Sequence, residues 1–106
     1  MRAVLADALA DAGLTAVEAG NAHEALSLLT TETFGLVITD LKMPGTIDGV
    51  GLVAWIRDAR PGTPVIVITA FHKARHELET SVPVFEKPFR VEALLERVHQ
   101  MLLKPR

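Results

Sequence analysis

Cysteine is absent from the 106 residues, which removes disulfide scaffolds, thiol nucleophiles and cysteine-based zinc sites together. No apolar run approaches the roughly 18 consecutive residues of a membrane helix. The opening "MRAVLADALADAG" lacks the basic-then-apolar layout of a secretory signal and is helically periodic instead. An excess of basic charge is also missing: the formal net charge is −2, which gives no electrostatic basis for a nucleic-acid surface. There is no Gly-rich phosphate loop, no repeat and no internal linker. These absences leave a cytoplasmic protein of one domain, residues 1–106, without membrane or nucleic-acid partners. The 49% hydrophobic content supports a core, and the 23% charged content supports a solvated surface.

What is present alternates. Val4, Leu5, Ala8, Leu9 and Ala12 recur at helical spacing before Gly13, so a helix is expected over 2–12 with a left-handed glycine cap. "LTAVEA" (14–19) alternates like a short strand. Asn21 followed by Glu24 opens a second helix in the manner of a capping box. "FGLVIT" (34–39) and "VIVIT" (65–69) are nearly continuous apolar runs, as expected of strands buried on both faces. Val50, Leu52, Val53 and Ile56 mark a third helix. A weak stripe over 71–81, a proline-bearing edge strand at 82–86 and an amphipathic helix from Val91 to Leu102 complete the chain. Strands alternating with helices imply an α/β, doubly wound parallel sheet, with its crevice beyond the carboxyl ends of the strands.

Asp40 and Thr69 fall at such ends, and Lys87 follows a third. A carboxylate, a hydroxyl and an ammonium in one crevice suit phosphoryl transfer to the carboxylate. Asp40 would be the nucleophile, Lys87 an ion-pair partner for a phosphoryl oxygen, and Thr69 a hydrogen-bond donor to another. Ala70 leaves room for the group, and Mg2+ is the metal best suited to hard oxygen ligands. The plainer alternatives are a turn-initiating Asp40, a β-branched strand residue at Thr69 and a surface lysine at Lys87. Asp48 in "IDGV" suits a helix cap better than a metal ligand. His72 and His76 lie four apart with no third ligand in sight and suit solvent. Trp55 suits packing.

"TDLKMPG", "VITA" and "EKPF", in that order with helices between, resemble the receiver domain of two-component response regulators over residues 2 to about 103. "PGTIDG", "RPGTP" and "VPVFEKPF" are similar to receivers of hybrid sensor histidine kinases. The resemblance implies a flavodoxin-like fold with strand order 2-1-3-4-5, one of the two common orders of doubly wound sheets. It implies Asp40 as phosphoacceptor, Thr69 as switch hydroxyl, Lys87 as phosphate-binding lysine and a cis Lys87–Pro88 bond. It also implies Mg2+ on Asp40 and the Lys42 backbone carbonyl, and a histidine kinase or phosphotransfer protein as partner. Catalysis would extend at most to the chain's own phosphorylation and dephosphorylation.

The sequence departs from that family in three places. The first strand and its acidic pair are missing, which weakens the expected magnesium site and leaves 14–19 and 34–39 to pair directly or to recruit another chain. A homodimer or strand-swapped oligomer is one expected result. Val84 stands where an aromatic often occurs, and the span from Thr69 to Lys87 is short. Phe71 and Lys42 occupy positions that usually tune dephosphorylation. The alternative function is a pseudo-receiver, not phosphorylated, that serves as a protein-interaction or dimerisation module.

Overall fold

The computed structural model describes residues 2–40, 49–69 and 82–103. The elements in chain order are α1 (Arg2–Asp11), α2 (Ala22–Thr31), β1 (Val37–Asp40), α3 (Gly49–Ala59), β2 (Val65–Thr69), β3 (Val84–Glu86) and α4 (Val91–Leu103). The expectations for Ala70, Phe71, His72, His76, Lys42, Asp48 and the 71–81 stripe lie outside the described residues.

The helix ends follow local chemistry. α1 stops at Gly13, whose φ of 88° only glycine adopts without strain. Its N–H donates to the Ala10 carbonyl (3.0 Å) while the Leu14 N–H donates to Leu9 (3.0 Å), the paired closure of a Schellman motif. A Cβ at Gly13 would touch nothing, so Gly13→Ala isolates the backbone strain. It should cost about 1 kcal/mol, read as a lower denaturation midpoint at unchanged slope. An unchanged midpoint would show that this cap adds nothing to stability. α2 begins as expected: the Asn21 side chain accepts from the Glu24 N–H at 2.9 Å. The Glu24 carboxylate accepts in turn from the Gly20 N–H, one residue before the cap.

The sheet is parallel, with three strands in the order β1-β2-β3 among the described residues. Val37 through Asp40 face Val65 through Ile68, and Val67 through Thr69 face Val84 through Glu86. Alternation along the strands divides the core in two. Ile66, Ile68, Leu94 and Val98 are buried on one face, packed by Leu5, Leu9, Leu36 and Ile38, so α1 and α4 cover that face. Leu29, Leu52 and Ile56 fill the other with Val37, Val65 and Trp55, beneath α2 and α3. Helices on both faces of a parallel sheet make the doubly wound α/β arrangement that the alternating pattern predicts. Trp55 is a packing residue, and the Arg60 guanidinium lies 5.6 Å from its ring centroid while donating to the Leu29 carbonyl at 3.0 Å. Val84 packs beside Val53 and Val67.

Three strand expectations differ from the structure. β1 starts at Val37, because Phe34 turns into the α2–α3 cluster ahead of the ladder. The run 14–19 forms no strand: Thr15 through Glu18 are exposed and join no ladder. Alternation supplies a face, but a strand also needs a neighbour, and a groove separates this run from β1. Direct pairing of the two segments therefore does not occur. β3, at Val84–Glu86, is also shorter than the expected 82–86.

Candidate functional site

Three adjacent strands deliver one group each to the carboxyl edge of the sheet. Asp40 is the last residue of β1, Thr69 the last of β2, and Lys87 directly follows β3. The apolar runs behind them fix these positions. Ile66, Val67 and Ile68 are at most 4% exposed, so the sheet cannot slip without exposing them.

Lys87 is held at two points. Its N–H donates to the Thr69 carbonyl at 2.8 Å, extending the β2–β3 ladder by one bond. Its Nζ passes the end of β2 and reaches Asp40 Oδ2 at 2.5 Å. The two side chains are 28% and 31% exposed, so the pair lies at the lip of the crevice and stays open to an incoming molecule. Thr69 is fully buried between them on the middle strand. Thr39, also buried, donates its hydroxyl to the Asp40 carbonyl at 3.0 Å and steadies the strand end. The Lys87–Pro88 bond is cis, as the resemblance implies. Phe85 and Phe89, on either side of it, meet edge to face at 6.1 Å.

The structure brings Asp40, Thr69 and Lys87 to the one crevice expected from the sequence, and adds a direct contact between the first and the last that the sequence reading did not give. Thr39 and Arg60 escaped it: a threonine inside a strand and an arginine before a Pro-Gly turn carry no signal of their tertiary partners.

A cation suits the oxygens of Asp40, but among the described residues no three His, Asp or Glu side chains converge. A single carboxylate is a partial donor set for magnesium, which prefers octahedral oxygen ligation and keeps several waters. Among the described residues no helix is long and apolar enough to cross a membrane.

The response regulator receiver domain family model matches residues 1–99. The chain is 35% identical over 108 aligned positions to the DNA-binding transcriptional regulator NtrC of Salmonella typhimurium, covering 92% of this chain but 22% of that protein. It is 30% identical to the response regulator receiver protein CpdR of Brucella abortus, covering 97% of this chain and 88% of that one. Among solved structures it resembles the response regulator protein TrrA of Thermotoga maritima, determined in complex with Mg(2+)-BeF. That match has a TM-score of 0.84 and 29% identity, covering 94% of this chain and 88% of that one. The chain spans about a fifth of the length of the NtrC-type relatives.

Proposed function

This chain belongs to the response regulator receiver domain family, and from that premise we propose that it accepts a phosphoryl group on Asp40. The donor is the phosphohistidine of a histidine kinase or phosphotransfer protein, in a cytoplasmic two-component phosphorelay. The observation that carries this reading is the Lys87 Nζ contact with Asp40 Oδ2 at the open lip of the sheet. An ammonium in that place neutralises charge where an anionic phosphoryl group must meet a carboxylate.

A carboxylate oxygen of Asp40 attacks phosphorus, and the new O–P bond forms as the P–N bond to the donor imidazole breaks. The imidazole nitrogen leaves with the electron pair and takes up a proton. Lys87 moves its charge from the carboxylate to a phosphoryl oxygen. Thr69, on the middle strand, turns its hydroxyl to another, and the altered packing at β2 and β3 is the signal. Magnesium, when bound, supplies further charge neutralisation. Asp40 and water would hold it, with the Lys42 carbonyl as a further oxygen, and the partial donor set implies weak affinity.

The test is intact mass after incubation with acetyl phosphate, with and without magnesium. A single phosphoryl adduct that forms faster with magnesium supports the reading. Lys87→Met should slow its formation by about 10- to 100-fold, the loss of one charged stabiliser of the transferring group. An adduct forming equally fast in that variant would remove Lys87 from the chemistry. The partial donor set favours a second reading, a pseudo-receiver that binds partners without being phosphorylated. Folded protein that forms no adduct would support it.

A further inference from the structure

Among the described residues two polar side chains are buried, Thr69 at 0% exposure and Thr39 at 5%. Thr69 belongs to the crevice, whereas Thr39 has no part in the chemistry derived above. Strand alternation places Thr39 on the α2–α3 face with Val37, next to its register partner Val67. It follows an apolar run, Leu36, Val37 and Ile38, in surroundings where valine would fill the same space without a hydroxyl to satisfy. A hydroxyl buried in such a place needs a partner, and this one donates to the Asp40 carbonyl at 3.0 Å.

The path of that bond gives it leverage. It closes a ring through the Thr39–Asp40 peptide and the Asp40 Cα, and so spans ψ of Thr39 and both φ and ψ of Asp40. With the peptide itself planar, these rotations decide where the Asp40 Cβ leaves the strand. The β1–β2 ladder does not set all of them. The Val37 N–H donates to the Pro64 carbonyl at 3.0 Å, so alternation turns the Asp40 carbonyl away from β2. The Asp40 side chain lies on the opposite face from Thr39, with Ile38. The Thr39 hydroxyl therefore reaches the carboxylate only through the backbone.

We propose that Thr39 is a positioning residue for Asp40: its buried hydroxyl fixes the Asp40 backbone so that the carboxylate is aimed at Lys87 and at an incoming phosphoryl group. Lys87 is anchored separately, by its N–H to the Thr69 carbonyl at 2.8 Å. The two halves of the Asp40–Lys87 pair are thus set from different strands, and their 2.5 Å contact needs both settings. The effect on rate rests on the phosphoacceptor reading, and the effect on the Asp40–Lys87 contact does not.

Thr39→Val keeps the shape and loses the hydroxyl, while Thr39→Ser keeps the hydroxyl and loses a methyl. Both are made in the full chain. Intact mass follows adduct formation with acetyl phosphate and magnesium, and a thermal melt on each sample establishes that it is folded. NMR reads the nuclear Overhauser contact between the Lys87 ε-protons and the Asp40 β-protons. Thr39→Val should form adduct about tenfold more slowly, as a misdirected nucleophile does, and lose at least about half of that contact. Thr39→Ser should stay within about twofold of the parent on both, although the lost methyl lowers its melting temperature by a few degrees. A merely structural role predicts the reverse, with Thr39→Ser the more impaired. Thr39→Val as fast as the parent, or Thr39→Ser slowed as much as Thr39→Val, overturns the proposal. So does a Lys87–Asp40 contact that is unchanged in Thr39→Val. Should the parent form no adduct, the phosphoacceptor reading falls, and that contact alone decides the role of Thr39.

Discussion

Asp40→Asn should abolish the phosphoryl adduct while leaving the protein folded. The amide is nearly the same size as the carboxylate, so packing at the end of β1 is preserved. The amide oxygen carries no full charge and cannot give the acyl phosphate that a carboxylate gives. The variant also removes the charge partner of Lys87. That pair is about a third exposed, so losing it should cost no more than about 1 kcal/mol. For a chain of this size, that is a melting shift of a few degrees. Intact mass and a thermal melt on the same sample separate the two effects. Labelling that persists in the variant would move the phosphoacceptor away from Asp40.

The largest stability effect should come from Leu94→Ala. Leu94 is fully buried at the centre of the α1–α4 face, beside Ile66, Ile68 and Val98. Truncation removes its transfer energy and leaves a cavity that strands and helix can close only in part, at a cost of about 2–5 kcal/mol. The expected result is a melting temperature lower by more than about 10 °C. Exposed Glu96, on the same helix, gives the contrast: Glu96→Ala should change stability by less than about 0.5 kcal/mol. A Leu94→Ala melt within a few degrees of the parent would mean that α4 is not anchored through this side chain.

Much of the architecture could be read from local patterns because local physics decides it. "VIVIT" is apolar on both faces and is the β2 strand to the residue. Gly13 and Asn21 mark helix ends through chemistry confined to a few neighbours. The 14–19 segment shows where such reasoning stops, because a strand is a property of a pair and its prospective partner does not reach it. The site divides in the same way. Strand-end positions for Asp40 and Thr69 follow from the apolar runs before them, whereas the contact between Asp40 and Lys87 joins residues 47 apart. Strand ends place the two in one crevice, but nothing in the local pattern says that the ammonium reaches the carboxylate directly. The Arg60 bond to the Leu29 carbonyl had no forerunner in the sequence, since it depends on which helix ends come together.

The reach of Lys87 has a thermodynamic corollary. Its backbone belongs to the β3 edge and its ammonium to Asp40, so one residue joins opposite edges of the described sheet across the intervening strand. Any molecule that binds near β3 and α4 more tightly when that ammonium is released from Asp40 shares a coupling free energy with the events at Asp40. Linkage makes the coupling reciprocal: whatever factor modification of Asp40 adds to that affinity, the bound molecule returns to the modification equilibrium. An output partner on that surface would therefore also act as an effector of the site, and its concentration would help to set how much of the protein is modified.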